Sequence, residues 1–138
     1  MPQRDLVHGV VRAALERDQW VITHDPLLLH GGSHNLYVDL GADRVLGAER
    51  EAQKIAVEVK SFSGRSEITE LERALGQYVL YETLLRKSHP GRVLLLAVPA
   101  SVFESLLSSE LGMTLRESFP LRLLVFDPVA GEVRRWVW

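Results

Sequence analysis

Apolar residues recur at helical spacing first, over residues 5–17. There Leu6, Val10 and Ala13/Ala14 share one face. The run Trp20-Val21-Ile22-Thr23-His24-Asp25 changes to strand character, and Pro26 ends it. Residues 27–35 form a loop or loose hairpin around Gly31-Gly32-Ser33. Residues 36–40 make a second strand that Gly41 turns. Residues 43–53 admit either a turn of helix or a strand continuing through Val45-Leu46-Gly47-Ala48-Glu49. Residues 55–62 are a third strand, rich in Val and Ile. Ser66 then caps a long helix from Glu67 to about Lys87, with Ile68, Leu71, Leu75, Tyr78, Val79 and Leu85 on its apolar face. His89-Pro90-Gly91 stops that helix. Residues 93–98 are apolar throughout, as a central strand covered on both sides would be. Helices follow at 101–107 and 111–117, then a strand at 121–126. A turn at 127–131 leads to an alternating edge strand at 133–138.

No linker or repeat divides the 138 residues, so they are read as one domain, 1–138. The class is α/β: a mixed central sheet with an αβββαβ core and flanking helices. Hydrophobic residues make up 46% of the chain, enough to build a core. Cysteine is absent, which excludes disulfides and thiolate metal sites and fits a reducing compartment. No apolar run approaches the ~20 residues that span a bilayer. Met1-Pro2-Gln3-Arg4-Asp5 has no signal-peptide core, so a soluble, cytoplasmic protein with no membrane partner is expected. The net charge of −2 argues against a general nucleic-acid coating protein. Basic residues such as Arg44, Arg50, Lys54, Lys60, Arg65 and Arg73 are dispersed. DNA binding by the chain alone should therefore be weak, with a partner or homo-oligomer completing the surface.

The candidate chemistry lies at two strand ends. Along a strand, residues i and i+2 point to the same face. Glu58 and Lys60 thus project together, away from Val57 and Val59. Asp39 closes the strand before. If the two strands pair, two carboxylates and an ammonium meet. Two carboxylates suit a hard cation such as Mg²⁺ or Mn²⁺. A lysine beside them can orient a water that attacks phosphate. The plainer readings are a solvated Glu58–Lys60 ion pair and an Asp39 that shapes the turn before Gly41. His24, His30 and His34 raise the question of zinc, but Gly31-Gly32-Ser33 disfavours the helix that His30 and His34 would need. The apolar close Val133, Trp136, Val137 and Trp138 is either a last sheet strand or a surface for a partner or a second copy.

Asp39, Glu58-Val59-Lys60 and Gln77-Tyr78-Val79-Leu80-Tyr81 together resemble the PD-(D/E)xK nuclease superfamily. No Pro precedes Asp39, a departure from the motif's name. The resemblance implies a restriction-endonuclease-like fold. It implies Asp39, Glu58 and the Val59 carbonyl as metal ligands, Lys60 as catalytic, and Gln77 and Tyr81 as substrate contacts. It also makes His8, with Asp5 and Glu16, an extra acid or base from the first helix. A wider resemblance is carried by His24-Asp25-Pro26-Leu27, by residues 36–43, 55–62 and 74–78, and by Val125-Phe126-Asp127-Pro128. These are similar to the XisH family, the fdxN-element excision controlling factors of cyanobacteria. That implies a role in excising a DNA element beside a companion, XisI. Two functions follow: a Mg-dependent endonuclease-like factor, or a non-catalytic accessory protein that binds XisI or a site-specific recombinase.

Overall fold

The computed structural model describes residues 3–47 and 51–138, with the side chains of residues 3–5 and 51 left aside. Six strands form one mixed sheet in the order β1-β4-β5-β6-β7-β8: β1 (Val21–His24), β4 (Leu40–Leu46), β5 (Glu51–Val59), β6 (Arg92–Pro99), β7 (Leu123–Asp127) and β8 (Glu132–Val137). The strands β5, β6 and β7 are parallel, and the other neighbours are antiparallel. The helix α2 (Glu67–Ser88) makes the crossover between β5 and β6.

The period of two along the central strands divides the core into two layers. Ala56, Leu94, Leu96, Val98, Leu123 and Val125 face α2. Val57, Leu95, Ala97, Leu124 and Phe126 face the other side, where Val11 and Leu15 of α1 (Gln3–Arg17) pack. That is why residues 93–98 carry no polar side chain. Ser66 caps α2 as expected, its hydroxyl accepting from the Thr69 amide at 3.2 Å. At the far end of the sheet, Arg92 ties three strands together. It donates to the Ala42 carbonyl at 3.3 Å and the Ile55 carbonyl at 3.0 Å, and pairs with Asp43 at 3.0 Å.

Several expectations are corrected. The loop at 27–35 is a regular hairpin, β2 (Leu27–Gly31) with β3 (His34–Val38), closed by Gly32 at φ +68° and Ser33. It forms its own two-stranded sheet and buries Leu27, Leu29 and Val38 against α2. The strand expected over 36–40 is therefore broken: β3 ends at Val38, β4 begins at Leu40, and Asp39 is the bend between them. With the hairpin set aside, the order is αβββαβ. Residues 43–46 continue the strand, while residues 48–50 lie outside the description.

The buried face of α1 is turned by one residue from the expected one. Val11, Ala14 and Leu15 are buried, while Leu6 is exposed. Apolar residues at 6, 7, 10, 11, 13, 14 and 15 satisfy helical spacing in both phases. In α2 the buried stripe is Leu71, Ala74, Tyr78, Tyr81 and Leu85, and Ile68 and Val79 are exposed. The helix expected at 101–107 is one α-turn, α3 (Ala100–Val102), running into a π-helical turn at Phe103–Leu107. The helix α4 (Glu110–Ser118) follows. In β8 the alternation fails at Arg134, the extra residue of a bulge between the pairs Val125↔Arg135 and Phe126↔Val133.

The Tyr78 hydroxyl joins α2 to the sheet. It donates to the Leu94 carbonyl at 3.2 Å and accepts from the Arg122 amide at 3.3 Å. Tyr78→Phe leaves both groups without that partner. It should cost about 1–2 kcal/mol in urea unfolding with an unchanged m-value. An unaltered midpoint would refute the anchoring role.

Candidate functional site at the end of the sheet

The antiparallel register of β4 on β5 begins with Leu40↔Val57. One step beyond that pair, Asp39 and Glu58 stand side by side. Both are buried, at 6% and 3% exposure, and they are the only buried charged residues among those described. Each carboxylate reaches the other strand's backbone. The Asp39 amide donates to Glu58 Oε1 at 3.2 Å, and the Val59 amide donates to Asp39 Oδ2 at 2.9 Å. Lys60 Nζ lies 3.4 Å from Glu58 Oε2. The Lys60 amide donates to the Ala97 carbonyl at 3.0 Å, which keeps the chain in register with β6 one residue past the end of β5. Strand parity thus brings the ammonium and the carboxylate to one face, while Val57 and Val59 enter the α1 layer.

Burial is the main electrostatic fact here. It pushes the Glu58 carboxyl up to about 7, and the neighbouring Asp39 adds to the rise. Lys60 and the Asp39 amide pull the other way without cancelling it. A cleft of about 180 Å³ opens beside the cluster, lined by Val7, Val59, Lys60, Ser61, Ser63 and Glu70. Glu70 and the two serines were not singled out from the sequence. Only the loop after Lys60 signalled them. Glu70 comes close to the backbone at Gly64, where a Cβ would meet its Oε1 at 2.0 Å.

The other predicted residues are dispersed. Tyr81 does not share an open face with Gln77: it is buried in the core layer with Leu71 and Leu85. Gln77 is half-buried, and its Oε1 is shielded from solvent without a hydrogen-bond partner among the described residues. His8 Nε2 lies 2.7 Å from Asp25 Oδ1, and Arg12 pairs with the other oxygen of Asp25. Glu16 is exposed beside Arg12 on the same helix. Asp5 is in the first turn of α1, its side chain outside the description. Where α1 walls the cleft it does so through Val7. His30 and His34 lie on the detached hairpin. Among the described residues no three His, Asp or Glu side chains converge as a metal cage.

Residues 1–134 match the XisH protein family. The chain belongs to the XisH family. Its architecture agrees with that of the fdxN element excision controlling factor protein from Anabaena variabilis. That protein is 38% identical, with a TM-score of 0.89, over 98% of this chain and 100% of the other. An XisH family protein from Nostoc punctiforme is 37% identical, with a TM-score of 0.88, over 97% and 100% of the two chains. A stretch of 99 residues is also 32% identical to the ornithine carbamoyltransferases of Synechococcus sp. and Synechococcus elongatus. It covers 72% of this XisH chain, which spans about 27% of those enzymes' length. No described helix is long and apolar enough to cross a membrane.

The raised Glu58 group has a stability consequence of definite sign. Its folded value, about 7, lies above the ordinary 4.5. The folded protein therefore holds an extra proton between those pH values. The stabilisation is full below about 4.5 and is lost as pH rises through about 7. Glu58→Gln removes this dependence. It should melt at a higher temperature than the parent at pH 8, with the gap closing towards pH 4.5. Identical pH profiles for the two proteins would refute the raised Glu58 group.

Proposed function

We propose that this XisH-family chain is an excision controlling factor whose strand-end cluster hydrolyses DNA phosphodiesters with the help of Mg²⁺ or Mn²⁺. The restriction-endonuclease-like reading of the αβββαβ core belongs to this proposal. The observation that carries it is the meeting of Asp39, Glu58 and Lys60 at one buried strand end. The donor set fits a hard divalent cation. Two buried carboxylates stand side by side, and among the described residues the Lys60 ammonium pairs with Glu58 at the rim. Asp39, Glu58 and the Val59 carbonyl would hold the ion. Two carboxylates, with no third acidic group converging on them among the described residues, suit Mg²⁺, which keeps several waters of its own. When bound, the ion supplies Lewis-acid stabilisation of charge on the phosphate. Lys60 orients the attacking water and the phosphate oxygen from the mouth of the cleft. Gln77 enters this proposal as a substrate contact on the resemblance alone, while the buried Tyr81 serves packing.

Plasmid nicking in Mg²⁺ tests this directly. The parent should cleave slowly, while Glu58→Ala and Lys60→Ala should lose at least a hundredfold. Mg²⁺ should raise the melting temperature of the parent and of Lys60→Ala, but not of Asp39→Ala/Glu58→Ala. Cleavage that survives Glu58→Ala and Lys60→Ala together would rule out the site.

The second reading is an accessory protein that docks XisI, a recombinase or another copy of itself. It is favoured by the edge position of β8 and by Trp138, half-exposed and stacked flat on Trp136 with ring centroids 5.0 Å apart. An edge strand with an aromatic surface suits an added chain. Sedimentation of the protein alone and with XisI should show a complex that Trp138→Ala weakens. A chain that stays monomeric in both mixtures would sink this reading.

A further inference from the structure

The parallel strands β5, β6 and β7 all end at the same edge of the sheet, the edge that carries Asp39 and Glu58. The pairing continues across it. Lys60 stands one step past the pair Val59↔Ala97, level with Val98, which pairs with Val125, which pairs with Arg135. Lys60 and Arg135 therefore occupy one row, three strands apart, or roughly 14 Å at ~4.8 Å per strand. They also share a face. Val98 and Val125 belong to the α2 layer, and Arg135 lies over the Phe103 ring of that layer, 4.9 Å from its centroid.

Arg135 borders a groove of about 540 Å³, whose wall also includes Phe103, Glu104, Ser108, Asp127 and Arg134. Asp127 is occupied: it accepts from the Val129 and Ala130 amides and pairs with Arg134. Arg116 stacks on the same Phe103 ring at 5.0 Å. Arg135 itself is exposed, with no hydrogen bond or ion pair to the described residues beyond that stacking. A guanidinium held over a ring is pre-organised, and its in-plane N–H groups remain available for a bidentate oxyanion. The ring that fixes it is the first residue of the π-helical turn, a feature frequent at functional sites.

We propose that Arg135 is a phosphate fork for a DNA strand that runs along the carboxyl ends of the parallel strands from the Lys60 cluster to this groove. The separation equals about four nucleotides at a rise of ~3.4 Å per strand. Identifying the occupant as DNA rests on the hydrolytic reading of the cluster. The arginine's availability and its row do not.

Anisotropy with a labelled 20-base-pair duplex, in chelator and across a salt series, is the test. Arg135→Ala should weaken binding about fivefold at low salt and reduce the slope of log K on log salt by about 0.9, the value for one phosphate contact. Arg135→Gln, which keeps a planar group on Phe103, should lose the same slope. Arg135→Lys should restore the slope but only part of the affinity. Arg86→Ala removes another exposed charge, on α2 and paired with Glu82, and should change neither. An equal loss in Arg86→Ala, or an unchanged slope in Arg135→Ala and Arg135→Gln, overturns the inference. Arg135-dependent binding of an oligoglutamate with no such dependence for DNA also overturns it, in favour of an acidic protein partner. Arg135-dependent binding without cleavage sinks the hydrolytic reading alone. Cleavage without Arg135 dependence sinks this inference alone.

Discussion

Two crossed hydrogen bonds hold the functional end of this molecule together. Where the β4–β5 ladder runs out, the Asp39 amide turns to Glu58 and the Val59 amide turns to Asp39. Side-chain oxygens take over the work that carbonyls do inside the ladder. A buried backbone amide without a partner costs about as much as a lost hydrogen bond. The carboxylates therefore satisfy the strand ends, and the strand ends orient the carboxylates. Neither could move far without exposing a bare donor in a dry place. That mutual dependence helps two acidic groups stay buried beside each other, with Lys60 paired to Glu58.

The rest of the fold serves that arrangement. The pairing of β4 on β5 sets which residues stand opposite, and Arg92 clamps β4, β5 and β6 at the far end. Core layers on both faces fix the phase of β5, because a slip by one residue would drive Glu58 towards α1 and Val57 towards α2. The crossover helix α2 is locked to β6 through Tyr78, and its first turn brings Glu70 to the rim of the cleft. The site is thus built from strand ends and one helix start, all of them anchored.

Much of this was legible in the residue order. Strand parity at Glu58 and Lys60, the apolar run at 93–98 and the Ser66 cap are local signals, and each survives in the structure. The misses share one physical cause: they depend on what packs from elsewhere. The apolar residues of α1 fit two helical phases, and only the sheet chooses Val11 and Leu15. Tyr81 was expected to contact substrate, and nothing in α2 alone reveals that it packs in the core layer that also holds Leu27 and Leu29 of the hairpin. His8 looked like a site acid because its spacing says nothing about Asp25, which lies across a different element. The position of Arg135 has no local signal, since it is set by a register running across four strands and by a bulge at Arg134.

The detached hairpin gives the architecture an asymmetry. β2 and β3 bond only to each other, so parting them from α2 breaks no rung of the six-stranded sheet. The hairpin joins that sheet through Asp25-Pro26 on the β1 side and through the single residue Asp39 on the β4 side. In the language of hydrogen exchange, the amides of the large sheet are insulated from the hairpin's opening, and the Asp39 amide is not. Protection at that one position reads out both the integrity of the carboxylate pair and the seating of a hairpin that contributes no side chain to the cleft.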